Sequence, residues 1–449
     1  MMREKQSLTE GSVGRNLLWF ALPYLLSCFM QTFYGMADLF VVGLYNSSET
    51  TTAVSIGSQV IHMLTVIIVG FAMGTTVQLG RNVGAGDKRA AAKVVGNGIL
   101  LFSGFAIVLT VVLVALTEPI TRIMMTPKEA VGETVSYLRI CFAGIPFITA
   151  YNVISSIFRG AGDSKRPMYF VGIACVINIL LDFLFIGGFH MGAAGAALGT
   201  ICGQAVSVIA ALVVMKKCEF GFRVTREDIR FERETSSNIL KVGAPVALQD
   251  GLIQVAFIVI TVIANSRGLV ASAGVGIVEK IISFMFLVPS AFLSAISAIT
   301  AQNMGAGKPE RARRTLKYGL FVTMGWGLFC CVYSQFLPQT LVGLFTRDAR
   351  VILAGCEYLR PYSMDCFFAG IHFCFSGYFC GDQKSGISFL HNIASILLVR
   401  VPGAYLASMY FPDSLFPMGL AAPAGSLLSA VICVLFYLYY RKRKEYRAG

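Results

Sequence analysis

Asp38, Asp182, Asp250, Glu279, Asp365 and Arg400 each interrupt a long run of apolar residues, and Lys280 follows Glu279 directly. An ionisable group at the centre of a membrane-spanning helix costs about 2.5–3.5 kcal/mol on insertion scales, so by default it marks a pathway or a relay. Around two of these acids polar residues recur at helical spacing. Asn178 precedes Asp182 by one turn, and Gln31 and Tyr34 precede Asp38 by seven and four residues, which draws a polar stripe on each of two helices. Thr200, in the span after Asp182, reaches a similar depth. Asp38, Asn178, Asp182 and Thr200 together offer hard oxygen ligands suited to Na+. They also offer a carboxylate pair able to hold one proton, because two like charges in a dry site repel. The same oxygens serve either ion, and such a site could load a cation outside and release it inside.

A second group is a candidate lining for a substrate cavity: Gln31, Tyr34, Gln249, Asp250, Glu279, Met285, Asp365 and Arg400. Plainer readings stand beside these. Asp38 and Asp182 could be solvent-near residues at helix ends, Glu279 and Lys280 could neutralise each other, and Asp365 could pair with Arg360 or Arg400. The segments Gly84-Ala85-Gly86-Asp87 and Gly160-Ala161-Gly162-Asp163-Ser164-Lys165 look like phosphate loops but lack the required Gly-x4-Gly-Lys-Ser/Thr spacing. They read as helix stops with a left-handed glycine, followed by Asp or Ser capping the next helix. His62, His190, His372 and His391 are scattered and make no metal-ligand spacing. With no nucleophile and base in register either, an enzyme is not expected, and neither is a cofactor.

The elements that must position these residues follow from composition. Of 449 residues 56% are hydrophobic and 14% charged, against roughly 25% charged in soluble proteins. With a mean hydropathy of +0.70, the surplus apolar surface must face lipid, which excludes a soluble enzyme or a nucleic-acid binder. Apolar runs at 16–37, 50–80, 94–117, 281–307, 318–346 and 414–440 meet the roughly 18–20 residues a spanning helix needs. The pattern predicts twelve spans, near 16–43, 53–80, 94–117, 134–159, 167–187, 193–215, 238–264, 275–304, 315–336, 351–380, 386–408 and 415–440. The fold class is an all-α polytopic membrane protein.

Cations fix the orientation. The N-terminus (Arg3, Lys5, Arg15), the loops 81–93, 159–166, 216–241 and 308–317, Lys384 and the tail 441–447 hold 28 of the 37 lysines and arginines. Arg122, Lys128, Arg267, Arg347 and Arg350 fall on the other side, so both termini are expected in the cytoplasm of a cell-membrane protein. The basic excess is then topology signal and contact with anionic lipid rather than a polyanion site. No signal-peptide pattern precedes Asn16, so the first span is expected to be retained. All cysteines but Cys218 lie in apolar spans and none form Cys-x-x-Cys, so they read as small hydrophobes.

The two halves repeat. Asn16-x-Leu18-x4-Pro23 recurs as Asn238-x-Leu240-x4-Pro245 at an offset of 222. Asn82-Val83-Gly84-Ala85-Gly86 recurs as Asn303-Met304-Gly305-Ala306-Gly307, and Tyr137-Leu138-Arg139 as Tyr358-Leu359-Arg360, both at 221. The expected domains are an N-lobe over 1–215, a charged cytoplasmic linker at 216–237 and a C-lobe over 238–449. Six spans per lobe make the repeats parallel, an arrangement that transporters use for alternating access. Departures from the repeat carry information. Asp38 maps onto Ile260, Asp182 onto the acid-free stretch 401–404, and Asn178 onto the stretch that ends in Arg400. Prolines 23, 245 and 289 inside spans mark kinks, tolerated where neighbours or cavity water satisfy the freed carbonyls.

At these residues the sequence resembles the multidrug and toxic compound extrusion (MATE) family of secondary transporters, in its DinF-like branch. The resemblance covers nearly the whole chain. It is carried by Ala37-Asp38-Leu39-Phe40-Val41-Val42-Gly43, by Asn82 to Asp87, and by Arg159-Gly160-x-Gly162-Asp163-Ser164-Lys165-x-Pro167. Most specific is Asn178-x3-Asp182-x2-Phe185-Ile186, followed by Gly195-Ala196-Ala197-x2-Thr200 and Gln204. It implies an antiporter exporting organic, often cationic and amphipathic compounds against inward H+ or Na+. It also implies that Asp38, Asn178, Asp182 and Thr200 form the N-lobe cation site, with Tyr137 near it. The NorM-like branch carries a carboxylate in the seventh span where this chain has Gln254, counted from Pro245.

The expected partners are a small organic substrate and membrane lipid, with no nucleic acid, and the chain is expected to act as a monomer. A flippase for a lipid-linked saccharide is the alternative within the same two-lobe plan. A polyanionic head group would ask for a cavity lined with several cations, and only Lys280 and Arg400 stand inside spans, with Arg139 and Arg360 at span edges.

Overall fold

The computed structural model describes residues 7–218 and 220–448, with side chains as far as Lys442. Arg3, Lys5 and the side chains of Arg443, Lys444 and Arg447, counted above toward the cytoplasmic side, lie outside the described residues. Among those described, every regular element is helical. The first half runs through α1 (Val13–Tyr45), α2 (Ser48–Gly84), α3 (Lys88–Ala115), α4 (Thr117–Ile123), α5 (Val131–Ala143), α6 (Ile145–Gly160), α7 (Lys165–Asp182) and α8 (Gly192–Lys217). The second half runs through α9 (Arg233–Asn265), α10 (Leu269–Met285), α11 (Leu287–Gly305), α12 (Pro309–Phe336), α13 (Pro338–Val342) and α14 (Ala349–Ser363). It ends with α15 (Asp365–Gly381), α16 (Ser385–Ser395), α17 (Val401–Tyr410) and α18 (Phe416–Ala448).

Ten helical stretches among the described residues are long and apolar enough to cross a membrane, and α5 with α6, bent by 46° at Gly144, counts as an eleventh if the bent pair is taken as one span. Large apolar side chains such as Phe321 and Leu398 stand on outer faces, as lipid contact requires. The chain is an all-α, multi-pass membrane protein. The remaining expected span, 351–380, is helical but breaks at Met364 into α14 and α15, of 15 and 17 residues, both shorter than the roughly 20 residues typical of a spanning helix.

The glycine segments act as stops and caps. After α2, Gly86 takes φ 73° and Asp87 caps α3 by accepting from the amide of Ala90 at 2.9 Å. After α6, Gly162 takes φ 93°, and it is Asp163, rather than Ser164, that receives the amides of Lys165 and Arg166.

Packing divides the chain into two compact units, Leu22–Ala247 and Met1–Ala21 with Leu248–Gly449. The chain passes from one to the other inside α1 and α9, beside Pro23 and Pro245. In the unit Leu22–Ala247, α2 lies against α3, α5 and α6, and α7 pairs with α8. Its core gathers Val54, Ile68, Tyr137, Phe142 and Ile145. Lipid tails are as apolar as leucine, so helices here associate through close backbone approach rather than hydrophobic expulsion. Gly70 and Gly74 of α2 supply one such crossing, where added Cβ atoms would fall on the backbone of Ala247 and Ile239 of α9, and Gly243 answers against Phe71. The segment between α8 and α9 is pinned to α3. Lys93 pairs with Glu232 at 3.0 Å, Asn97 donates to the Glu232 carbonyl at 3.1 Å, and Ser236 donates to Asn97 at 2.5 Å.

In the other unit α15 runs along α11, α12 and α18. The start of the chain joins it through Leu17 and Phe20, and through Asn303, Lys308 and Arg311, which donate to carbonyls of residues 8 to 11.

Candidate functional site

Asp182 closes α7, where the helix widens into a π-helical turn over Phe183–Gly188. Such turns recur at functional sites because they re-aim side chains without ending the helix. The partner helix α8 presents Gly195, Gly199 and Gly203 at four-residue spacing toward α7. A Cβ on Gly199 would land on Asp182 Oδ1, and one on Gly203 would crowd Asn178. The glycine stripe therefore makes the room in which Asn178 and Asp182 lie buried, at 2% and 0% exposure.

Asp38 of α1 reaches the same room. Thr200 Oγ1 donates to Asp38 Oδ2 at 3.2 Å, and Asp182 and Asn178 face the same carboxyl. Asp38, 4% exposed, is thus no solvent-near helix end. Tyr137 of α5, its ring seated over Gly57, faces Asp38, Tyr34 and Cys141. Tyr34 in turn faces Gln204 of α8. Asp38 Oδ1, both oxygens of Asp182 and both amide atoms of Asn178 have no hydrogen-bond partner among the described residues. Two carboxyls facing each other with lone pairs unspent cannot both stay ionised and dry. A shared proton, or a small hard cation among the oxygens, satisfies them.

The other unit assembles a centre of different polarity. A second π-helical turn, Ile396–Arg400, stands between α16 and α17. Arg400 from this turn donates to Asp365 Oδ2 at 3.2 Å and to the Tyr362 hydroxyl at 2.9 Å, with its guanidinium over the ring of Phe257. Asp365 thus takes Arg400, and Arg360 points to an exposed surface. Glu279 accepts from Thr261 at 3.1 Å and faces Arg400. The alternative Glu279–Lys280 neutralisation does not form: consecutive residues diverge on a helix, and Lys280 is exposed. Met285 packs its sulfur against Cys366. Gln249 and Asp250 are neighbours of each other, with Cys380 beside Asp250.

Gln31 stands apart from the carboxyl cluster in its surroundings. It lines a cavity of the unit Leu22–Ala247 with Tyr24, Cys28, Tyr151, Asn152 and Arg159. Sequence reasoning missed Arg159 as a buried cation, because its place at a helix end gave it the look of a topology charge. The missed signal lies in the repeat, where the offset of 221 sets Cys380 against Arg159. Gln204 was visible in the motif but received no role.

Comparison with known proteins bears on the family and the fold. The family model described as MatE matches the chain twice, over residues 23–184 and 245–406. The two matches begin 222 residues apart, the offset of the internal repeat. The probable multidrug resistance protein YpnP of Bacillus subtilis (strain 168) is 28% identical over 434 residues, 96% of each chain. Among solved structures, a MATE protein in its bent conformation superposes with a TM-score of 0.91 at 23% identity, over 98% of each chain. A MOP superfamily transporter from Pyrococcus furiosus, described as having a binding pocket of reverse polarity, superposes with a TM-score of 0.91 at 22% identity, over 99% of this chain and 98% of that one. At these identities the two structures speak to the fold.

Proposed function

Because the chain belongs to the MatE family, whose model spans most of both halves, we propose that it is a secondary active antiporter. It exports organic compounds, cationic amphipaths among them, in exchange for inward H+ or Na+ by alternating access. The name of YpnP, a probable multidrug resistance protein, supports this substrate class. So does the pattern of Asp38, Asn178, Asp182 and Thr200, which resembles the DinF-like branch. The single observation that carries the reading is the buried pair Asp38 and Asp182 with its unspent oxygens.

In this reading the chain makes twelve spans, with both termini in the cytoplasm of a plasma-membrane protein that works as a monomer. Its lobes, 1–215 and 238–449, are parallel repeats joined by 216–237. An ion arriving from outside neutralises the carboxyl cluster, and the change in charge biases α1, which carries Pro23 inside its length, toward a different packing on α7 and α8. Tyr34 and Tyr137 sense that change because both face Asp38. Substrate leaves as the ion is taken in. Arg400, held by Asp365, acts as a built-in cation in the C-lobe, so coupling falls to the N-lobe.

The test is export of a fluorescent cationic dye from proteoliposomes of the purified chain under an imposed pH or Na+ gradient. Export driven by one gradient supports the antiporter and names its ion. Failure under every gradient, with translocation of a lipid-linked saccharide instead, replaces it with the flippase.

A further inference from the structure

We propose that Arg159 is a binding subsite for an acidic group, a carboxylate or phosphate carried by a transported molecule or by an anionic lipid. The subsite lies in the cavity lined by Tyr24, Cys28, Gln31, Tyr151 and Asn152. Arg159 occupies the last turn of α6 and is only 5% exposed. Among the described residues no carboxylate comes within ion-pair distance of it, and its Nε makes no hydrogen bond. The nearest acid in sequence, Asp163, is occupied by Arg166 at 3.0 Å and by two backbone amides.

The side chains facing the guanidinium carry no compensating charge. It lies over the ring of Tyr24 at 5.3 Å, and its field reaches Cys28 and Tyr151. A thiol and phenols are neutral at physiological pH. The carboxyl end of its own helix favours a cation there, yet leaves the buried Nε without a partner. A buried charge that lacks both a counter-ion and hydrogen bonds is costly to keep. The repeat sets Cys380 at the equivalent place, so the shared scaffold does not require the cation.

The chemistry of the occupant follows from the walls. A planar guanidinium pairs bidentately with carboxylate or phosphate, and Tyr24 and Tyr151 line the same cavity beside it. The assignment of the acid to a transported molecule rests on the efflux reading, whereas the subsite itself does not.

The experiment uses the full chain in phosphatidylcholine nanodiscs, without any gradient, titrated with one xanthene dye as its free acid and as its methyl ester. Fluorescence anisotropy should find the acid bound about tenfold more tightly than the ester, as a charge-assisted bidentate pair would give. Arg159→Gln should erase that preference and Arg159→Lys should keep part of it. Should R159Q fail to fold, the wild-type comparison of acid and ester decides together with R159K. A parallel arm adds phosphatidylglycerol and counts retained lipid by native mass spectrometry. If acid and ester bind alike but R159Q retains less phosphatidylglycerol than wild type, the acidic group belongs to lipid. Equal binding of acid and ester, with lipid retention unchanged by R159Q, overturns the proposal. Because binding is read without transport, a failure of dye export would leave this result standing by itself.

Discussion

Thr200 donates to Asp38 at 3.2 Å, and a hydrogen bond to a charged group is worth about 1.5–3 kcal/mol. Thr200→Val keeps the shape and removes the donor. The half-saturating concentration of the driving ion in a transport assay should therefore shift by roughly ten- to a hundredfold, and a shift of less than twofold would remove Thr200 from the site. At this scale the sequence was legible where spacing speaks. Asn178 and Asp182 one turn apart, and Tyr34 and Asp38 likewise, declare shared faces before any fold is known. For Asp365 the sequence left Arg360 and Arg400 open, and Arg159 was not legible, because a cation at a helix end looks the same whether it is solvated or buried. Only packing tells which acid it meets.

Between elements, the crossing of α2 and α9 is set by Gly70, Gly74 and Gly243, with backbone on the far side of each. A carbonyl cannot swing aside as a long side chain can, so Gly74→Leu should destabilise by about 3 kcal/mol, at the upper end for overpacking. Thermal unfolding in detergent should record the loss, and an unchanged midpoint would deny the close approach. The segment docked on α3 gives a pH prediction. Hydrogen bonds from the Thr225 amide and hydroxyl hold the Asp228 carboxyl below its ordinary range, and Thr235 and Lys93 do the same for Glu232. Both folded values lie below the unfolded ones, so the stabilisation is complete above about pH 4–4.5 and fades as pH falls through the folded values. Proteolysis within 216–237 should be slow at pH 7 and at pH 5 and faster near pH 3, measured with an acid-tolerant protease. Equal rates throughout would show that these carboxylates do not hold the segment. Helix lengths came readily from apolar runs. The bend at Gly144, the break at Met364 and the two π-helical turns did not, since each depends on what the neighbouring helix presents.

Across the whole molecule, the repeat was readable from three short motifs, and the MatE model finds it again at the same offset. What the repeat leaves unequal is the more telling part. One half gathers Asp38 and Asp182, with oxygens that wait for a proton or a cation. The other answers with Arg400 locked to Asp365. The compact units, by contrast, exchange their first segments inside α1 and α9, which a sequence division at the charged loop does not reveal. An asymmetric molecule of this kind should have its coupling removed by changes in one half. The most direct measurement is gradient-driven dye export from proteoliposomes by the wild type, Asp38→Asn and Asp182→Asn, with Asp365→Asn beside them. The account predicts that D38N and D182N each abolish the response to the driving gradient, while D365N, by freeing Arg400, lowers folding yield or rate without abolishing it. Full response in both N-lobe variants, or its loss in D365N alone, would contradict the account.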